Sequence, residues 1–499
     1  MGKFQVAAVF SDNMVLQREK NVRIFGQGQD LSTVSLDFMD RNYTTIVKDG
    51  NWFIILPPMS AGDEYDMHIT CNEESITFHN IAIGEVYLAG GQSNMEMELR
   101  NCKDGVDMLH NDKEPNVRYY YTMKNAVMNE DFYEMEEKSC WSEFSEENAK
   151  TWSGVAYIFG KRLAKELGVT VGIIGCNWGG TSGACWVSRD ALQEDMELNT
   201  YIEEYEKAIE GTSELEQMKA FNEYLIYHEK WEKDYAKLQE DNPEISWEEA
   251  SVVCGECKWP GPMTYVNPYR PSGLYECMIK RIVPYTLRGF IYYQGESDDH
   301  KPHMYQKLLT RLIKQWRDDF LDGESPFLFV QLPMHRYKAD PDKKNWCLIR
   351  EAQINTFKTI KNTGIAVCID CGEFNEIHPK DKSPVGERLA LQALHHVYHI
   401  ISDNEAFGPM YKSHVYKEKE IELTFKYAKD GFILKGEGSF EIAGIDEDYK
   451  IADIRIEKDK IYVSSQDIDK PVHVRYCWTN FGEVTVYGKN KLPLAPFRF

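Results

Sequence analysis

The sequence predicts an α/β protein in which a parallel-sheet core carries β-sandwich domains at both ends. Between residues 83 and 408, apolar strand-like runs alternate with helical ones, the pattern of parallel strands covered by helices on both faces. Before and after that stretch, apolar residues recur at every second position between Asp, Asn, Gly and Pro, as they do in antiparallel β domains. At 499 residues the chain is also too long for one ordinary core.

The elements follow in order. Residues 1–82 hold the short runs VSLDFMD, YTTIVK, WFIILP, YDMHIT and SITFHNI and no helical period, which predicts the amino-terminal β-sandwich. The core strands are IAIGEVYLA (81–89), VGIIGC (171–176), GFIYY (289–293), FLFVQL (327–332) and GIAVCID (364–370). Between them, Trp152, Val155, Phe159, Leu163 and Leu167, and later Tyr305, Leu308, Leu309, Leu312, Ile313 and Trp316, keep a helical spacing. An insertion at about 190–275 interrupts the core. Its first half, including YIEEYEKAIEG and EYLIYHEKWEKDYAKLQ, reads as long solvated helices. Its second half, with Pro260, Pro262, Pro268, Pro271 and Gly273, reads as a loop of a length uncommon unless it covers a site. Residues 409–499 return to period two in IELTFKY, IADIRIE, KIYVSS and VHVRYCW, the carboxy-terminal β domain.

Composition removes several classes of function. With 57 basic against 80 acidic residues the formal charge is −23, which opposes binding to nucleic acid or anionic membranes. No run of about 18 apolar residues occurs, so no membrane span is expected. The opening MGKFQVAAVFSDNMVLQ lacks the features of a secretory signal, and the expected location is cytoplasmic. Twelve scattered cysteines suit reduced thiols. Two CxxC pairs, Cys254 with Cys257 and Cys368 with Cys371, raise a zinc site, but GIAVCIDC reads as a strand, where residues three apart face opposite ways. No metal and no cofactor is therefore expected. The helices at 193–240 offer a surface for pairing with a second copy.

Ligands of open parallel sheets bind beyond the carboxyl ends of the strands. The first strand delivers Gly90, Gly91, Gln92, Ser93 and Asn94 there, and the second delivers Asn177, Trp178, Gly179, Gly180 and Thr181. The third delivers Gln294, Gly295, Glu296, Ser297 and Asp298, and the last delivers Glu373, Asn375, Glu376, His378 and Pro379. A hydroxyl needs a base to become a nucleophile, the base needs an orienting group, and the tetrahedral oxyanion needs donors. The four loops contain all of these. The order Ser, acid, His also occurs in α/β-hydrolases, but GQSNM lacks the second glycine of the G-x-S-x-G elbow.

At these residues the sequence resembles the sialate O-acetylesterase family of the SGNH (GDSL-like) hydrolase superfamily. The matching segments are FSDNMVLQRE, GEVYLAGGQSNMEMEL, NWGGTSGACWVS, MIKRIVPYTLRGFIYYQGESD, LIREAQ, EIHPKDKSPVGERLAL, VRYCWTNF and LPLAPFRF. The resemblance implies an SGNH-type core and a metal-independent serine esterase acting on a small O-acetylated carbohydrate, either sialic acid or an oligosaccharide such as acetylated xylan fragments. It implies Ser93 as nucleophile and His378 as general base, with an oxyanion hole from the amides of Gly180 and of Ser93 or Asn94 and the carboxamide of Gln294. The superfamily's usual acid stands three residues before the histidine, and Asn375 occupies that position. Glu376 is the expected acid, with Glu373, Asp370 or a Ser–His dyad as alternatives. Gln92, Asn94, Trp178 and Glu296 are the expected substrate contacts.

Each residue also has a plain structural explanation. Ser93 and Asn94 can cap a helix beginning at Met95, His378 can be a packed loop histidine, and Trp178 and Trp186 can be core aromatics. Two other classes of function remain. A glycosidase would use two carboxylates, Glu296 and Glu376, and a binding protein would hold sugar without turnover.

Overall fold

The computed structural model describes residues 4–113, 116–242, 245, 247–437 and 439–499. It is a mixed α/β structure with several sheets. The largest is built around the strand Glu74–Gly91, which is 18 residues long. SITFHNI and IAIGEVYLA, read as two strands, are one continuous strand that passes through the expected boundary at 82–83. Its first half alternates exposed and buried and pairs antiparallel with Gly62–Cys71. Its second half is buried throughout and becomes the centre of a parallel sheet.

In that sheet the strands run in the order Val117–Tyr121, Val171–Asn177, Glu74–Gly91, Gly289–Tyr293, Phe327–Gln331 and Thr363–Val367. Trp141–Glu143 adds an antiparallel edge. From the central strand the chain first builds to one side and then to the other, which makes its carboxyl end the switch point where ligands bind. Register sharpens this placement. Gly91 pairs with both Asn177 and Tyr293, so three strands end on one level.

Val171–Asn177, Gly289–Tyr293, Phe327–Gln331 and Thr363–Val367 are buried at every residue because helices cover them. Gly154–Leu167 packs with Ser383–His396, and Tyr305–Asp319 packs with Asn345–Thr359. Local sequence sets the ends of the first of these. The Ser153 hydroxyl accepts from the amide of Ala156 at 3.1 Å, and Gly168 closes the helix in the left-handed conformation. The last strand of the sheet ends at Val367, not at Asp370. Cys368 to Cys371 form a tight 3-10 turn, so the strand argument used against pairing these cysteines does not apply.

The insertion is helical over Asn199–Ile209, Glu214–Asp241 and Trp247–Cys254, followed by an irregular segment to about residue 274. Among the described residues, three small antiparallel sheets follow residue 409. Among the described residues, no helix is long and apolar enough to cross a membrane.

The amino-terminal region is tied to the far end of the core sheet by a buried carboxylate. Glu85 accepts from Arg18 at 2.6 Å, from Arg288 at 2.7 Å and from the side chain of Gln17 at 2.9 Å. Burial opposes its charge, but Arg288, Gln17 and Arg18 together hold it below the usual carboxylate range. The LQRE, GEVY and LRGF motifs thus meet in a structural joint remote from the loops at the carboxyl ends of the strands.

Candidate active site

Two glycines let the central strand leave the sheet. A side chain on Gly90 would meet the Trp316 ring at 2.7 Å, and one on Gly91, which has φ of +136°, would lie 2.1 Å from the Tyr293 carbonyl. The short helix Ser93–Glu96 begins at once, with Gln92 as an extended N-cap that makes no side-chain capping bond. Ser93 is therefore not a cap. Its Oγ lies 2.8 Å from Nε2 of His378, within reach for proton transfer.

Around His378 the carboxylates sort themselves. Asp370 is committed to Arg388, at 2.5 and 3.0 Å. Asn375 adopts φ of +61° and its carboxamide oxygen accepts from the Lys338 amide. Glu373 and Glu376 face each other across an isolated antiparallel bridge. Of these, Glu376 comes nearest the histidine: its Oε1 accepts the His378 backbone N–H at 2.7 Å and stands 3.9 Å from Nδ1. At that distance the carboxylate acts on the ring through its charge and makes no hydrogen bond to it.

Burial holds His378 below its usual pKa of 6.5, Glu376 and Glu96 oppose the shift, and Lys382 adds to it. The imidazole thus stays neutral, and able to accept a proton, into mildly acidic solution. Replacing Glu376 by Gln is expected to cost less than about tenfold in kcat, against about 10⁴ for an acid bonded directly to the ring. Loss of the negative charge also moves the acid limb of the pH–rate profile to lower pH. A thousandfold loss would make Glu376 a full triad member.

The second loop closes against the first. The Trp178 amide donates to the Gly91 carbonyl at 3.1 Å, and the Gly179 amide donates to the Glu96 carboxylate, which also pairs with Lys124. A side chain on Gly179 would come within 3.3 Å of Ser93 Cβ. Gly180 turns with φ of +74°. Among the described residues, the amides of Ser93 and Gly180 have no acceptor.

Four expected contacts need correction. Gln294 is buried with both amide hydrogens spent, one on the Thr181 carbonyl at 3.1 Å and one on Asp298 at 2.6 Å, so it has no donor left for an oxyanion. Gln92 exchanges hydrogen bonds with Ser297, accepting from its amide and donating to its hydroxyl, both at 3.2 Å. Asn94 is 1 % exposed. Its Nδ2 donates to Glu296 at 2.7 Å and to the Ile377 carbonyl at 3.0 Å, while its Oδ1 accepts from Lys382 Nζ at 2.5 Å. Glu296 is buried beneath Asn94, its second oxygen unpartnered, and burial raises its pKa. Gln92, Asn94 and Glu296 therefore organise the loops from behind. Trp178 alone of the expected substrate contacts is half-buried rather than buried, in the loop that closes against Ser93.

Lys382 escaped the sequence reading. The only signal was its place in EIHPKDK, four residues beyond His378. It is 1 % exposed, and burial pushes its pKa down to about 8. By holding the Asn94 carboxamide it sets the clamp between the residue after Ser93 and the residue before His378. Lys382→Met is expected to lower kcat by about 10- to 100-fold through misplacement of the pair. It should also move the acid limb to higher pH, because the cation that disfavours His378 protonation is gone. A loss of rate with no movement of that limb would reduce Lys382 to packing.

Comparisons with known proteins agree with this geometry. Residues 261–395 match the profile of carbohydrate esterases described as sialic acid-specific acetylesterase. Sialate O-acetylesterase from Mus musculus is 27% identical over 425 residues, covering 78% of this chain and 73% of that protein. The Homo sapiens enzyme of the same name is 25% identical over 433 residues, covering 78% and 70%. The crystal structure of a carbohydrate acetylesterase from Xanthomonas citri superposes with a TM-score of 0.78 at 25% identity, covering 99% of both chains. The chain is thus similar to the sialate O-acetylesterases over 78% of its length and to a carbohydrate acetylesterase structure over nearly all of it.

The profile match takes in the His378 loop and Lys382 but begins after the Ser93 and Gly180 loops. Another residue left without a role by the sequence is Asn480, in VRYCWTNF. It is fully buried, its side chain bonds Asp340, Asn345 and the Trp346 amide, and its carbonyl accepts from the His335 amide. Phe481 packs on Phe374 with ring centroids 5.5 Å apart. The carboxy-terminal region thereby braces the loop that ends in His378.

Proposed function

We propose that this carbohydrate esterase removes O-acetyl groups through an acyl-enzyme on Ser93. The observation that carries the reading is the 2.8 Å contact between Ser93 Oγ and His378 Nε2 at the switch point of the sheet. His378 takes the hydroxyl proton as Oγ attacks the acetyl carbonyl carbon. The carbonyl oxygen gains the negative charge and accepts from the amides of Ser93 and Gly180. Collapse breaks the ester bond, and His378 returns the proton to the departing sugar oxygen. Water then repeats the sequence on the acetyl-serine and acetate leaves.

The substrate is an O-acetylated sialic acid or an acetylated oligosaccharide. In this reading the core over 83–408 is of the SGNH type, and the β-sandwiches at its ends are scaffolding rather than sites. The two-carboxylate alternative is weakened by the burial of Glu296 under Asn94, and a purely binding role leaves the Ser93–His378 contact without a purpose.

The test is acetate release from 9-O-acetylated sialic acid and, in parallel, from acetylated xylo-oligosaccharides. Release from one of them that disappears in Ser93→Ala supports the reaction and identifies the sugar. Release that persists in Ser93→Ala, or none from either sugar, rejects it.

A further inference from the structure

The irregular half of the insertion brings an aromatic side chain to the edge of the nucleophile loops. Trp259 is 44 % exposed, yet its ring lies directly against Gly180: a methyl group on Gly180 would fall 2.6 Å from Trp259 Cζ2 and 3.2 Å from Tyr269 Cε1. Trp259 and Tyr269 meet edge to face with ring centroids 5.4 Å apart. Trp178 opens the same turn two residues before Gly180 and is itself half-exposed.

The segment presenting Trp259 is fixed from several sides. Asn267, fully buried, donates to the Pro260 and Pro262 carbonyls at 3.2 and 2.9 Å and accepts from the Tyr269 amide at 2.7 Å. The Trp231 indole on the long helix donates to the Gly255 carbonyl at 2.7 Å. On the core side, the Ser272 amide donates to the Ala184 carbonyl at 2.9 Å. A loop fixed by these bonds thus leaves nearly half of a large indole open to water, and that exposed part gains nothing for folding. An aromatic surface beside convergent polar groups is a common way to line a ligand site.

We propose that Trp259, edged by Tyr269, is a platform that stacks on the apolar C–H face of a pyranose ring whose acetyl group reaches Ser93. The proposal rests on the deacetylase reading for the orientation of the sugar. The ring chemistry is shared by neutral oligosaccharides and by sialic acid, so the experiment includes both.

Xylotetraose and N-acetylneuraminic acid are titrated calorimetrically into the full-length Ser93→Ala protein, with and without Trp259→Ala or Trp259→Phe. Trp259→Ala is expected to weaken binding of the recognised sugar at least tenfold, and Trp259→Phe by less than about threefold. With Ser93 present, Trp259→Ala should lower kcat/KM for the acetylated sugar relative to that for 4-nitrophenyl acetate by the same tenfold or more. The sugar that binds identifies the source of the ring. Binding that does not depend on Trp259, binding of neither sugar, or equal losses on sugar and aryl ester would overturn the platform, the last by making Trp259 a support for the Gly180 turn. Because binding is read without turnover, sugar held on Trp259 but never deacetylated would reject the reaction and keep the platform.

Discussion

Ser93→Ala is expected to lower kcat for acetyl release by three orders of magnitude or more, His378→Ala by a similar factor, and the double variant by no more than either alone. The two side chains act as one unit. Without the imidazole the hydroxyl keeps its proton at neutral pH, and without the hydroxyl the imidazole has nothing to activate. KM should change little, since neither group holds the ground-state sugar. What survives is the stabilisation supplied by the amides of Ser93 and Gly180, and that residual rate should lose the acid limb set by His378. Steady-state kinetics on an acetylated sugar across pH 4 to 9 check each part. A Ser93→Ala enzyme retaining more than a tenth of wild-type kcat would remove the acyl-enzyme from the mechanism.

The second large effect is on stability. Asp298 is fully buried and accepts four hydrogen bonds, from Ser182 Oγ at 2.5 Å, Tyr201 OH at 3.1 Å, the Gly183 amide at 2.8 Å and Gln294 Nε2 at 2.6 Å. It ties the Gly180 loop, the Gln294 loop and the first helix of the insertion together. Asp298→Ala strands those donors in the interior and is expected to cost about 3 to 5 kcal/mol. Asp298→Asn should cost much less. Its amide nitrogen can take the Oδ1 position, where the Ser182 and Tyr201 hydroxyls rotate to accept, while its oxygen continues to serve Gly183 and Gln294. Urea unfolding of the three proteins provides the measurement. Equal losses for Ala and Asn would show that charge, not the count of stranded donors, dominates the site.

The Ser93–His378 contact was legible in the sequence because a hydroxyl and an imidazole stand at strand ends, and the strands were visible as apolar runs. The sequence misassigned Gln92, Asn94, Gln294 and Glu296 for a physical reason. A carboxamide or carboxylate beside a nucleophile looks the same in sequence whether it faces solvent or turns inward, and only partner geometry tells the two apart. Lys382 was invisible because burial of a lysine is rare enough that composition argues against it. Trp259 was passed over because nothing local marks which aromatic in a proline-rich loop folds back over a turn 79 positions earlier in the chain. The strand Glu74–Gly91 was split at residues 80 and 81 because its period changes there, from alternation where one face meets solvent to unbroken burial where both are covered.

That strand has a consequence for how the protein is assembled. Its first half is clasped by Gly62–Cys71, all of which is synthesised before Val117–Tyr121, Val171–Asn177, Gly289–Tyr293 and the parallel strands that follow. A growing chain can therefore pair the strand that will carry Ser93 locally, as a hairpin, before its distant partners exist, avoiding the slow search that long-range parallel pairing requires. The amino-terminal region then acts as a template for the core and is not an accessory that recombination could exchange freely. A chain begun at residue 83 would start its central strand with no clasp and an open edge.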